Sequence, residues 1–160
     1  MIIETGNLIT DNYPIFCHQV NCKGVMGAGI AKQIKDKYPK VFNTYKKKCN
    51  AIKNPLGDYQ WVYTNDGRIC INMFSQDGYG RDKKYTDYEA FKKCLDDMAE
   101  VFNSLSCEVP FRAKYGNVIA FPYMIGCGNA GGDWNTVLAL LQEFENKVGD
   151  AWIVKIVKLN

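Results

Sequence analysis

The chain has one histidine, His18, and none of its seven cysteines stands in a Cys-x-x-Cys pair. Metal centres are built from clustered His, Cys and carboxylate ligands, so neither a metal nor any other cofactor is expected. The cysteines are odd in number and scattered, which argues against a disulfide framework. Cys17, Cys70 and Cys94 fall in apolar patterns, as buried free thiols do. Free thiols imply a reducing compartment, and a cytoplasmic location is the expectation. No apolar run approaches the ~20 residues of a membrane span, and the N-terminus lacks the apolar stretch of a signal peptide. Neither sign of charge dominates. Twenty basic and 17 acidic residues leave +3, too little to imply a nucleic-acid partner but compatible with a local anion site. Linkers, low-complexity tracts and internal repeats are also missing, so the 160 residues read as one domain, 1–160.

What is present is apolar content for a core, 47% against 23% charged, and two glycine-rich loops. The first is Asn21-Cys22-Lys23-Gly24-Val25-Met26-Gly27-Ala28-Gly29-Ile30-Ala31. The second is Ile125-Gly126-Cys127-Gly128-Asn129-Ala130-Gly131-Gly132-Asp133-Trp134. Glycine lets backbone N–H groups come close to a ligand, and a helix N-terminus favours an anion. Two such loops suit the two ends of one phosphate-bearing molecule, a nucleotide diphosphate or nucleotide sugar. Neither loop fits the GxGxxG or P-loop pattern, so each alone is a weak signal.

Each loop sits between a buried-strand pattern and an amphipathic helix. Residues 15–20 read as a strand, and Ile30, Ile34 and Tyr38 then recur at helical spacing up to Pro39. Residues 41–49 read as a further helix. Residues 1–5 predict an opening strand, and residues 59–64 and 68–74 two strands joined at Asn65-Asp66-Gly67. Thr86-Asp87-Tyr88-Glu89 has the form of a capping box before a helix that buries Tyr88, Phe91, Leu95, Met98 and Phe102. Residues 118–121 form a strand into the second loop. Asp133 caps a helix with Val137, Leu138, Leu141 and Phe144 inside, and residues 152–159 close the chain as a strand. This alternation predicts an α/β fold, a mixed, mostly parallel sheet with helices on both faces. Ligands of such sheets bind beyond the carboxyl ends of the strands, where both loops fall.

At these residues the chain resembles the macrodomain family, whose members bind ADP-ribose. The resemblance covers essentially the whole chain. It rests on Thr5-Gly6-Asn7-Leu8-Ile9-Thr10, on the Gly-Ala-Gly-Ile-Ala loop and on the Ile-Gly-Cys-Gly loop. It is strongest toward the ADP-ribose-1''-phosphate phosphatases and related terminal ADP-ribose glycohydrolases. The resemblance implies a three-layer α/β/α macrodomain with adenine near Asn7 and Leu8. It implies a pyrophosphate on the backbone of Gly27, Ala28, Gly29 and Ile30, and of Gly128, Asn129, Ala130 and Gly131, with Gly126 and Cys127 also among the ligand-binding residues. The partner implied is ADP-ribose or a derivative, including mono-ADP-ribosylated protein. Where the family usually has Asp, this chain has Asn7, which can still accept from the adenine amino group through its amide oxygen. Gln76 stands where the glycohydrolase branch has a catalytic lysine, and Ala130 where it has a catalytic Asp.

Three residues are the candidates for catalysis. The phosphatase branch carries a histidine at the position of His18, as general acid or electrostatic clamp; the alternative is a core histidine with satisfied hydrogen bonds. Asp133 activates or orients water, or is a helix N-cap, or both. Asn21 contacts the distal ribose in the family; alone it reads equally as a turn residue. The segment after the fourth strand adds Tyr79, to stack on a base or ribose, Arg81, to pair with a phosphate, and Asp77 as a second carboxylate, unless it is merely a solvated connection. Three functions follow: hydrolysis of the terminal phosphate of ADP-ribose 1''-phosphate, removal of ADP-ribose from protein without a catalytic lysine, or non-catalytic binding of ADP-ribose.

Overall fold

Strand residues alternate between two apolar surfaces, and that alternation sets the layers. In the computed structural model, described over residues 1–159, six strands form one sheet in the order β1-β6-β5-β2-β4-β3. They are β1 (Ile2–Thr5), β2 (Ile15–Val20), β3 (Tyr59–Tyr63), β4 (Ile69–Phe74), β5 (Val118–Pro122) and β6 (Ile153–Lys158). Ile15, Cys17, Ile71, Met73, Ile119, Phe121, Val154 and Ile156 face one core, beneath the helices α3 (Tyr88–Leu105) and α5 (Trp134–Val148). Phe16, Cys70, Ala120 and Val157 face the other, beneath α1 (Gly29–Lys37) and α2 (Pro39–Ala51). The three layers are those expected.

Every strand pairing is parallel except the β3–β4 hairpin. Five strands therefore deliver their carboxyl ends to one edge of the sheet. Pro39 ends α1 and opens α2, where its missing N–H costs nothing at the first helical position.

Two local expectations are corrected. The N-cap of α3 is Asp87, whose side chain accepts from the Ala90 N–H, and not Thr86. The Thr86 hydroxyl instead donates to the Gly126 carbonyl at 2.6 Å. The helix α4 (Val109–Tyr115) has no counterpart in the sequence reading; it is seven residues long, too short to show a periodic face. No described helix is long and apolar enough to cross a membrane.

Candidate functional site

The carboxyl-edge loops enclose a cleft of about 550 Å³, lined by Gln19, Asn21, residues 25–31, Gln76, Tyr79, Arg81, residues 122–126 and residues 128–130 among others. A smaller pocket of about 280 Å³ adjoins it, lined by Gly6, Asn7, Leu8, Ile9, Gln33, Lys158 and neighbours. Ile30, Pro122 and Tyr123 line both, so the two pockets meet there. Both fall close to the range of small-molecule sites.

The first loop is fixed from below by Asn21 and Tyr45. Asn21 Oδ1 accepts from Lys23 N–H at 2.9 Å and from the buried Tyr45 hydroxyl at 2.6 Å, while its Nδ2 donates to the Val25 carbonyl at 2.7 Å. One amide hydrogen of Asn21 remains for a ligand. The second loop is held by a polar cluster. Ser75 donates to Gln19 Oε1, and Gln19 Nε2 reaches both Gln76 Oε1 and Thr86 Oγ1, at 2.7, 2.8 and 2.9 Å. Thr86 then anchors the Gly126 carbonyl. Gly126 has φ 74°, and a Cβ there would lie 2.9 Å from Gln19 Oε1, so only glycine fits. Gln76 is locked on both arms, since its Nε2 donates to the Gly78 carbonyl at 2.8 Å.

With the loops held this way, the N–H groups of Gly27, Ala28, Gly29 and Ile30 have no acceptor among the described residues. The same is true of Gly126, Gly128, Asn129 and Ala130. Gly27, Ala28, Gly29, Gly128 and Asn129 are exposed, so their N–H groups are open to solvent, and such rows in loops that line one cleft can cradle an anion. Among the described residues Arg81 is the one charged side chain lining the larger cleft, and no carboxylate, imidazole, thiol or amine lines it.

That last feature separates the expected site residues into two groups. Asn21, Gly27, Ala28, Gly29, Ile30, Tyr79, Arg81, Gly126, Gly128, Asn129 and Ala130 line the larger cleft, and Asn7 and Leu8 the smaller. His18, Asp133, Cys127 and Gly131 are not brought to either. Cys127 packs against the α3–α5 core, and Gly131 lies against the backbone of Lys83 and Lys84. Asp133 is an exposed N-cap whose Oδ2 accepts from Thr136 N–H and from the Thr136 hydroxyl, both at 2.9 Å. Asp77 is exposed, 3.5 Å from Lys23. The amide oxygen of Asn7 is also not free as expected. It accepts the N–H groups of Ile9 and Thr10 at 2.9 and 3.0 Å.

His18 is completely buried, two residues below the end of β2. It ends a polar ladder that crosses three strands. Gln60 Nε2 donates to the Thr44 carbonyl, Asn72 Nδ2 to Gln60 Oε1, and Asn72 Oδ1 lies 2.6 Å from His18 Nε2. A backbone carbonyl can only accept, so the direction of every bond in the ladder follows from Thr44. His18 Nε2 must carry the proton, and Nδ1 has no partner among the described residues. Burial pushes the imidazole down to about 4, against a smaller upward effect of the Asn72 hydrogen bond. The ring is neutral at pH 7 and lies within the core, outside the lining of either pocket.

This has a sign that can be measured. Between the unfolded value of about 6.5 and the folded value of about 4, the unfolded chain binds the proton and the folded chain does not. Stability therefore falls as pH drops through that window, by on the order of 3 kcal/mol from this one group. His18→Gln retains a donor for Asn72 and does not titrate. Urea unfolding from pH 7 to 4 is expected to show a shallower loss in the variant. Identical pH profiles would show that the ring gains a proton freely in the fold.

Sequence reasoning missed Arg68, Tyr45 and Gln19. Arg68 is buried, and its guanidinium donates to the carbonyls of Leu8, Ile9 and Tyr13 at 2.7–2.9 Å. A charged residue at the mouth of the apolar run Ile69–Phe74, and a glutamine inside Ile15–Val20, were the available signals.

Fold and cleft together define an α/β domain with an open cleft across the carboxyl edge of its sheet. The chain matches the Macro domain family over residues 17–141 and belongs to that family. It is similar to the DNA ADP-ribosyl glycohydrolase of Mycobacterium tuberculosis, with 30% identity over 136 residues, 83% of this chain and 35% of that protein. The chain thus spans about a third of that relative's length. It is 27% identical to the ADP-ribose 1''-phosphate phosphatase of Meyerozyma guilliermondii over 148 residues, 82% of this chain and 84% of that protein. Among solved structures it is similar to the macrodomain of Mycobacterium tuberculosis DarG, with TM-score 0.79 and 25% identity, covering 98% of this chain and 95% of that one.

Proposed function

We propose that this protein recognises the ADP-ribosyl group through the two rows of unpaired N–H groups in its glycine loops. The adenine enters the smaller pocket beside Asn7 and Leu8. The pyrophosphate lies between the N–H groups of residues 27–30 and those of residues 128–130. The distal ribose reaches Asn21, with Tyr79 and Arg81 at the cleft mouth. The observation that carries this reading is the pair of N–H rows in a cleft free of carboxylates. Each N–H given a phosphate oxygen exchanges solvent for a charge-assisted hydrogen bond.

Hydrolysis at the distal ribose is the second reading, favoured by the names of the two relatives. It covers the terminal phosphate of ADP-ribose 1''-phosphate and ADP-ribose attached to protein or DNA. The cleft offers this chemistry hydrogen-bond donors to stabilise developing charge. It offers no side-chain base, so a phosphate oxygen of the substrate would take the water proton. Gln76 excludes chemistry through a lysine at that position.

Calorimetry and thermal unfolding with ADP-ribose test the binding. At 100 times Kd the ligand adds about 2.7 kcal/mol, a rise in Tm of roughly 5–10 °C for a domain of this size. No heat and no shift at millimolar ligand would overturn the reading. Parallel turnover assays on ADP-ribose 1''-phosphate, ADP-ribosylated protein and ADP-ribosylated DNA separate binding from hydrolysis. Wild-type turnover that persists in Asp133→Asn and His18→Gln is the expected result if hydrolysis occurs.

A further inference from the structure

Resting on the ADP-ribosyl reading, we propose that Asn7 makes the base subsite a hydrogen-bond donor site, which takes a 6-oxopurine at least as tightly as adenine. An amide oxygen has two lone pairs, and those of Asn7 are occupied by the N–H groups of Ile9 and Thr10. The turn also fixes the amide's orientation, because a flipped amide would set its NH₂ against those two donors. The free arm of the side chain is therefore Nδ2, a donor with no partner among the described residues. A carboxylate at this position would differ in that arm alone. One oxygen would hold the turn and the second would accept from an amine.

The rest of the subsite does not supply the missing acceptor charge. No carboxylate side chain lines it among the described residues. The nearby Asp11 carboxylate accepts the Asn7 N–H at 2.8 Å and is turned to the backbone. Lys158, which does line the subsite, sits 4.8 Å over the Tyr123 ring and is donor-only. Adenine presents its exocyclic amine, a donor, at C6; hypoxanthine and guanine present an oxygen there. Facing Nδ2, the oxygen completes a hydrogen bond, whereas the amine meets a second donor there.

The test is calorimetry with ADP-ribose and with inosine diphosphate ribose, which differ at the C6 edge of the base. Inosine diphosphate ribose is expected to bind at least as tightly to the wild type. Asn7→Asp keeps the turn and supplies a carboxylate oxygen, and is expected to move the ratio of affinities toward ADP-ribose by about tenfold. Asn7→Ser can hold the turn through its hydroxyl but lacks the amide donor; it is expected to lose affinity for inosine diphosphate ribose more than for ADP-ribose. A wild-type preference for ADP-ribose of about threefold or more overturns the base assignment and leaves the ADP-ribosyl reading standing. Binding of neither nucleotide overturns both.

Discussion

Gly128→Val is expected to leave the fold intact and to lower ADP-ribose affinity by about 100-fold, close to 2.7 kcal/mol. The glycines of the two loops are not equivalent, and this one isolates the ligand. Gly128 lines the cleft, its φ is not positive, and a Cβ added there meets no protein atom within 4 Å. The side chain therefore competes with the ligand and with nothing else. Gly29 also lines the cleft with open space around it, but its φ is 59°. Valine at Gly29 adds about 1–2 kcal/mol of backbone strain to any loss of binding, so both Tm and affinity are expected to fall. Gly126 and Gly132 belong to the protein's own packing. A Cβ at Gly132 would lie 2.5 Å from the Gly126 carbonyl oxygen. Calorimetry and thermal unfolding on Gly128→Val and Gly29→Val together separate the effects. Retained affinity in Gly128→Val would show that the second N–H row does not hold the ligand.

The layers of this fold are written in side-chain period. The strands alternate between two cores, and the helical faces of α3 and α5 repeat at three and four residues, so element type and order could be read directly. The glycine loops were legible for the same reason, as breaks between periodic segments. Depth along a strand was not. His18 and Val20 share a face of β2, but a strand rises about 3.3 Å per residue, and two residues separate a cleft position from the middle of a buried ladder. The place of Asp133 depends on a turn. Its spacing after the glycines suggested a place in the cleft, but the turn at Gly131 and Gly132 carries the chain back onto Gly126 before α5 begins, through the 2.9 Å bond from Gly132 N–H to the Gly126 carbonyl. The free arm of Asn7 depended on which atoms of a turn face each other, which no spacing records. Gln19 and Tyr45 act on the loops from other elements, and partners 67 and 24 residues apart leave no local pattern.

Arg68→Met is expected to cost about 3–5 kcal/mol of stability, and with it the base subsite. Arg68 is 6% exposed and its guanidinium lies 4.0 Å over the Phe16 ring. Its Nε donates to Tyr13, its Nη1 to Ile9 and to the Tyr38 hydroxyl, and its Nη2 to Leu8, at 2.9, 2.8, 2.9 and 2.7 Å. Three of these acceptors are carbonyls of the one loop that carries Asn7 and Leu8 to the smaller pocket. The positive charge is balanced through Tyr38, whose hydroxyl donates to Asp66 at 2.7 Å. Methionine would fill much of the volume and leave those carbonyls without donors. Urea unfolding gives the cost, and a Tm lower by roughly 10 °C is its thermal counterpart. Arg68→Lys is expected to recover part of the loss at most, because an ammonium is a single point of charge and cannot span acceptors set out along a fork. In either variant ADP-ribose affinity is expected to fall further than in a variant of equal instability far from the loop, such as one in the α3–α5 core, because the carbonyls of Leu8 and Ile9 no longer fix the pocket wall. An Arg68→Met protein as stable as the wild type, with unchanged affinity, would show that water reaches these carbonyls and that the loop holds its shape without the guanidinium.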